Sequence, residues 1–147
     1  MERWSPALGH DLSRFHEAQG AIYQRALAEL RAGRKETHWM WYIFPQIEGL
    51  GMSAMTQRYA ITTLDEAVAY LADPVLGGRL LECTGAVLAV PEKSAHEIFG
   101  SPDDMKFRSS LTLFAAAAAD PTPFEAALQR FYGGVPDSRT LALLDIN

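Results

Sequence analysis

Between His38 and Gly51 the sequence reads HWMWYIFPQIEGLG, and the rest of the chain is organised around this segment. It contains two of the three tryptophans and ends in a Gly-Leu-Gly turn. It is too short to span a membrane and too aromatic for an ordinary loop. A large apolar wall beside a flexible turn is typical of small-molecule pockets. The segment therefore predicts the position of a binding site.

Pro45 restricts the backbone of this aromatic segment. Because the residue before a proline avoids the α region, a helix through Phe44 is disfavoured. We expect residues 38–48 to be irregular or extended. The pattern becomes helical again after Gly51, and Ser53 fits the position of a helix cap.

Outward from this segment, helix signals dominate the chain. Apolar stripes with a 3.6-residue period, together with capping residues, predict long helices over about 11–32, 64–72, 74–90, 102–120 and 122–132. Strand signals are weak, with no clear alternation and no Asn-Gly turn. The predicted fold class is all-α. We expect a single compact domain over residues 1–147 with six or seven helices, after an irregular leader at 1–10.

Size and composition limit the possible functions. A chain of 147 residues with 48% hydrophobic and 21% charged residues is typical of one soluble globular domain. The net charge of −5 disfavours nucleic acid and anionic membranes as partners. No segment has a transmembrane length, and no signal peptide is recognisable. The single cysteine, Cys83, excludes an internal disulfide, so we expect a cytoplasmic protein.

Metal and cofactor motifs are not recognisable. The four histidines, at positions 10, 16, 38 and 96, do not pair at metal-ligand spacing, so we expect no metal. Residues 49–54 formally fit a dinucleotide fingerprint, but the parallel sheet that this motif requires is not predicted. Two interpretations of the turn stay open. Gly49 and Gly51 either bring backbone N–H groups to a phosphate, with Arg58 in support, or only form a tight turn.

A second polar cluster lies further along the chain, where Lys106, Ser109 and Ser110 occupy neighbouring helical turns. It indicates either close packing between helices or a lysine-and-serine site for an anion. Two interpretations are also open for the tryptophans. Trp39 and Trp41 are either both core residues, or one of them faces a pocket and stacks on a base or sugar.

Three motifs resemble one family along nearly the whole chain, from residue 11 to residue 144. They are HWMWYIFPQIEGLG at 38–51, RYAI at 58–61 and IFGSPDDMKFRSSLTLF at 98–114. They resemble the bacterial family catalogued as domain of unknown function 1810. Some members are labelled calpastatin, but this sequence has none of the disordered, repeated composition of that inhibitor.

The resemblance implies a fold similar to the mostly helical YbiA-like group, which includes the NADAR domains of NAD and ADP-ribose chemistry. That implies a pocket for an ADP-ribose-like ligand. NADAR proteins place an acid directly after a serine, whereas Ser53 here precedes Ala54. Glycosidic cleavage needs a carboxylate, and Glu48 is the best replacement, ahead of Asp103 and Asp104.

Our leading hypothesis is a cytoplasmic protein that binds a nucleotide of the NAD or ADP-ribose class. Hydrolysis would make it an ADP-ribose-linked N-glycosidase with Glu48 as the catalytic residue. The expected ligand-binding residues combine an aromatic wall, backbone donors, cations and a hydroxyl: Trp41, Phe44, Gly49, Gly51, Ser53, Arg58, Tyr59, Lys106 and Ser109.

The alternative hypothesis is a protein-binding or assembly module without chemistry, since amphipathic helices with alanine-rich faces pack well against partners. In both cases an oligomer is compatible with the sequence. Nucleic acid is expected only as a modified substrate, and no membrane association is expected.

Overall fold

The computed structural model describes residues 10–146, and this part of the chain is all-α, as predicted. It contains nine helices: α1 Ser13–Arg31, α2 Met40–Ile43, α3 Ala54–Tyr59, α4 Leu64–Ala72, α5 Pro74–Leu88, α6 Ala95–Phe99, α7 Asp103–Ala117, α8 Thr122–Tyr132 and α9 Ser138–Leu143. The expected count of six or seven was too low. Nine residues of the expected irregular leader, 1–9, lie outside the described part.

Side-chain caps explain where several helices begin. Thr63 accepts the backbone N–H of Glu66 at 3.1 Å, which starts α4 at the predicted residue. Asp73 accepts two N–H groups at the start of α5, with Pro74 at the first helical position. Asp137 likewise caps α9. These caps accept hydrogen bonds from the first backbone N–H groups of each helix, which have no partner within the helix itself.

The aromatic segment is only partly irregular. Met40–Ile43 forms the short helix α2, which buries Met40 and Ile43. The helix ends at Ile43, and Phe44 is its C-cap, directly before Pro45. Beyond the proline, Ile47 forms an isolated parallel bridge with Ile61. This bridge fixes both ends of the segment that contains α3.

A partly buried ion pair supports the Ile61 side of that bridge. Glu66 is 5% exposed and accepts the backbone N–H of Thr62 at 2.7 Å. Arg14 of α1 contacts Glu66 at 3.3 Å and donates to the carbonyl of Ala60 at 2.7 Å. Because its partners satisfy it, the buried carboxylate holds residues 60–62 against α1.

Aromatic side chains form the centre of the core. Phe107 of α7 packs against Phe44 and Phe99, with ring centroids 4.8 and 4.6 Å apart. Trp39 is 1% exposed, so it is a core residue. The helix pairs α7–α8, α4–α7, α1–α5, α4–α5 and α5–α8 surround this core.

Glu29 of α1 fixes the chain that enters the aromatic segment. Its carboxylate accepts the backbone N–H groups of Glu36 and Thr37, the Thr37 hydroxyl and the indole N–H of Trp39, at 2.7–3.0 Å. Burial alone would raise the pKa of Glu29, but these hydrogen bonds outweigh it and lower the pKa from 4.5 to about 2. The carboxylate is therefore charged at neutral pH.

No helix among residues 10–146 combines the length and the apolar character needed to cross a membrane.

Candidate functional site

A cavity of about 330 Å³ lies between the glycine turn, α7 and the beginning of α9. Its walls are formed by ten residues: Gln46, Leu50, Gly51, Thr56, Pro102, Met105, Lys106, Ser109, Asp137 and Arg139. The two polar stretches that the sequence singled out thus border one cavity. Its size is at the lower end of the range for small-molecule pockets.

Lys106 provides one positive charge in the cavity wall. Its ammonium lies 3.8 Å from Oδ1 of Asp103 and 5.5 Å from the centre of the Trp41 ring. Oδ2 of Asp103 lies 2.9 Å from the ammonium of Lys35. Trp41 is half-buried, so Lys106 reaches the cavity beside a partly accessible aromatic face.

The second positive charge comes from α9. Arg139 donates to the carbonyl of Gly49 at 3.3 Å, although the two residues are 90 positions apart in the sequence. Asp137 brings a carboxylate to the same wall, and its Oδ2 accepts the backbone N–H and the hydroxyl of Thr140. The backbone N–H of Asp137 in turn donates to Thr112 of α7 at 2.8 Å. These bonds hold the start of α9 against α7.

The glycine turn fits closely against its neighbours. Gly49 has φ +105°, and a Cβ there would lie 3.1 Å from Leu143. A Cβ on Gly51 would lie 2.9 Å from Thr56. The positive φ of Gly49 therefore favours glycine in the turn, whereas a side chain at Gly51 would require Thr56 to shift. Gly51 also borders the cavity.

Comparison with known proteins identifies the family of the chain. Residues 9–144 match the family model described as protein of unknown function, DUF1810. The chain belongs to the DUF1810 family. It is also 52% identical to the conserved hypothetical protein Rv1873 from Mycobacterium tuberculosis, whose crystal structure extends to 1.38 Å. That similarity covers 93% of this chain and 98% of the other, with a TM-score of 0.91. No curated protein matches the chain.

Two residues proposed from the sequence do not fit the cavity of this DUF1810 protein. Phe44 is completely buried between Phe99 and Phe107, so it cannot form part of a ligand wall. Glu48 is exposed and is not among the lining residues. Its backbone N–H donates to the Ile61 carbonyl, because the residue belongs to the bridge between the two segments.

Three further candidates are not among the lining residues of the cavity. Ser53 caps α3, accepting the N–H of Thr56 at 3.1 Å and donating to its hydroxyl at 2.8 Å. Arg58 is exposed and lies 5.5 Å from the ring of Tyr59. Tyr59 is 8% exposed and packs on Tyr42. Trp41 and Tyr59 do line a neighbouring recess of about 10 Å³, which has room for about one water molecule.

Sequence patterns identified Gly51, Lys106 and Ser109, which line the cavity, but missed Arg139 and Asp137. The only signal for Asp137 was its capping position before α9. Nothing in the pattern indicated that α9 packs against the glycine turn.

Among residues 10–146, no group of three or more histidine, cysteine or acidic side chains has a geometry suited to a metal ion. Burial raises the pKa of the Cys83 thiol to about 12, so Cys83 is protonated and a poor nucleophile at neutral pH.

Proposed function

We propose that this DUF1810 protein binds a nucleotide of the NAD or ADP-ribose class in the cavity. One observation carries the proposal: Lys106 and Arg139, from two different helices, border the same cavity as the glycine turn. Two cations and a turn that permits close backbone approach suit a phosphate group. The ligand class comes from the expected relation to the YbiA-like and NADAR proteins, which is part of this proposal.

The remaining side chains of the wall suit a sugar or base. Ser109 donates its hydroxyl proton to the Met105 carbonyl at 3.2 Å, which leaves its oxygen available as an acceptor. Gln46 and Thr56 add an amide and a hydroxyl. Trp41, beside Lys106, offers an aromatic face at the edge of the site. In this proposal the phosphate lies nearest the cations.

Thermal-shift measurements test the proposal with NAD, ADP-ribose, AMP, ribose 5-phosphate and inorganic phosphate. A ligand that binds only the folded protein stabilises it by about 2.7 kcal/mol at one hundred times its dissociation constant. We expect ADP-ribose to raise the melting temperature and Lys106→Met to abolish the shift. Arg58→Met is the matched control, because it removes one exposed charge outside the cavity and should keep the shift. Absence of a shift with all five ligands would refute the proposal.

If the protein is also an enzyme, we propose that it hydrolyses a glycosidic bond of ADP-ribose. It needs a carboxylate at the ligand, and Asp137 is the acidic residue in the cavity wall. Asp137→Asn should keep the α9 cap, since asparagine caps a helix as well as aspartate does. We expect Asp137→Asn to remove turnover of an ADP-ribosylated nucleoside while ADP-ribose binding persists. Glu48→Gln serves as the comparison and should retain turnover. Loss of turnover in Glu48→Gln, with turnover retained in Asp137→Asn, would assign the catalytic role to Glu48.

Assembly is the second candidate function. An apolar groove of about 360 Å³ lies between α4, α5 and the end of α7. Val68 and Leu81 in this groove are 41% and 46% exposed, beside the alanine run. Exposed apolar surface of this kind favours contact with another protein. Light scattering would report the mass in solution, and a monomer at high concentration would count against self-assembly.

We also propose a cytoplasmic location, supported by the free thiol of Cys83. With a net charge of −5, nucleic acid enters this proposal only as a modified substrate.

A further inference from the structure

Two lysines share one carboxylate at the edge of the cavity. Lys35 contacts Oδ2 of Asp103 at 2.9 Å, whereas Lys106 is 3.8 Å from Oδ1. The Lys35 side chain is 8% exposed and the Lys106 side chain 24%. Each ammonium also lies over a tryptophan ring, Lys35 over Trp39 at 5.1 Å and Lys106 over Trp41 at 5.5 Å. Both lysines thus pair with Asp103 and lie over a tryptophan ring, but Lys35 is closer to the carboxylate and more deeply buried.

The distances show which lysine holds the carboxylate. A separation of 2.9 Å is that of a charge-assisted hydrogen bond, whereas 3.8 Å is too long for one. Asp103 is therefore bound mainly by Lys35, and the three N–H donors of Lys106 are not committed to it. The cluster of two ammoniums and one carboxylate keeps a net positive charge at the cavity wall.

The backbone around Lys35 is fixed independently of this ion pair. The N–H of Lys35 donates to the Ile98 carbonyl at 2.8 Å, and Glu29 binds the next two residues through their N–H groups. Lys35 itself is not a lining residue of the cavity. Lys35 can therefore affect a ligand through Asp103 and Lys106, or through its charge, but not by lining the cavity.

We infer that Lys35 is a positioning residue for anion binding, because it occupies Asp103 and so leaves Lys106 available to the phosphate of the ligand. This inference rests on the proposed function. Without Lys35, Lys106 would be the remaining ammonium partner of Asp103 within residues 10–146. Since Coulomb attraction grows as two charges approach, Lys106 would move onto the carboxylate and away from the cavity.

Titration calorimetry with inorganic phosphate tests the inference. We expect Lys35→Met to weaken phosphate binding about tenfold, the loss expected when one charged hydrogen-bond donor is withdrawn. Methionine keeps the apolar stem of the lysine, which limits the loss of packing. Arg34→Met is the control, because it removes the same charge from an exposed neighbouring residue and should leave the affinity within about twofold.

A second substitution separates positioning from a merely structural role. Adding Asp103→Asn to Lys35→Met removes the carboxylate that would capture Lys106, so phosphate affinity should return to the wild-type value. A structural role for Lys35 predicts no such rescue. Asp103→Asn alone should bind phosphate at least as tightly as the wild type, which tests the same arrangement with Lys35 in place. Melting curves for every variant establish that it is folded.

The outcomes are distinguishable. If the wild type binds phosphate and Lys35→Met binds it equally well, the inference is wrong and the proposed function stands. A loss that Asp103→Asn does not restore also overturns the inference, because it assigns Lys35 to the fold. If the wild type binds neither phosphate nor any nucleotide, the proposed function itself fails.

Discussion

At the scale of single residues, the charged carboxylate of Glu29 stabilises the start of the aromatic segment. Its carboxylate holds the start of the aromatic segment through four hydrogen bonds, one of them from the buried Trp39. The folded protein binds the Glu29 proton less tightly than the unfolded chain does, since its pKa falls from 4.5 to about 2. Proton binding and folding are therefore linked at this residue.

We predict a pH dependence of stability with a definite sign. Because the folded pKa is depressed, Glu29 contributes its stabilisation fully above pH 4.5, and this contribution is lost as the pH falls towards about 2. Glu29→Gln should lower the free energy of unfolding by about 2 kcal/mol at pH 7 and should flatten the decline between pH 4.5 and 2. Thermal melts across this range measure both effects.

Glu17→Gln is the control for this experiment, because Glu17 is exposed on the same helix. It should leave both the stability and the pH profile close to those of the wild type. Identical pH profiles for Glu29→Gln and the wild type would show that the hydrogen bonds of Glu29 contribute no pH-dependent stability.

Short-range patterns in the sequence identified part of the cavity wall. Lys106, Ser109 and Gly51 were predicted and line the cavity, because short-range patterns place them on a helix face and in a turn. Phe44 was assigned wrongly, since the identity of an aromatic residue does not determine whether it faces a pocket or the core. Only three-dimensional packing makes that distinction.

The junction between α4 and α5 depends on a glycine. A Cβ on Gly77 would lie 2.2 Å from the backbone carbonyl oxygen of Leu71, far closer than two such atoms can approach. The last turn of α4 therefore packs directly on the backbone of α5. A Cβ on the neighbouring Gly78 would meet nothing within 4 Å.

This pair of glycines gives a matched prediction for the two helices. Gly77→Ala should destabilise the protein by about 3 kcal/mol, because the helices must separate to admit the methyl group. Gly78→Ala should stabilise it by about 0.5–1 kcal/mol through helix propensity. Urea unfolding measures both. Equal effects of the two substitutions would contradict the close approach of the helices.

Helix boundaries were predictable where a local signal sets them. The Thr63 cap and the Asp73-Pro74 pair gave the beginnings of α4 and α5, because both signals act over three or four residues. The helix α2 was missed since it has no side-chain cap and only four residues. Burial of Met40 and Ile43 in the core stabilises it, and that contact is not local.

At the scale of the whole molecule, the cavity joins elements from distant parts of the chain. Gly49 and Arg139 meet across 90 positions, and α9 is connected to α7 through Asp137 and Thr112. The sequence predicted the helical class because each of the long helices has its own periodicity. It could not predict the cavity, because no local rule determines which helices become neighbours.

A bound nucleotide should therefore connect α9 to the remainder of the protein. We predict that ADP-ribose slows amide hydrogen exchange in α9 and in residues 49–56, because the ligand would contact Lys106 and Arg139 together. The first two turns of α1, which do not border the cavity, should be less affected. Uniform protection of all helices would indicate global stabilisation without a local contact, and no protection would contradict binding in the cavity.

The Ile47–Ile61 bridge has a consequence for the sequence changes that residues 48–60 can tolerate. It pins both ends of residues 48–60, and the Arg14–Glu66 pair secures one of those ends to α1. The intervening loop supplies Leu50, Gly51 and Thr56 to the cavity but few side chains to the core. Changes of length between fixed ends cost little free energy. Residues 48–60 are therefore expected to tolerate changes of length and of exposed side chains while the helical scaffold stays unchanged.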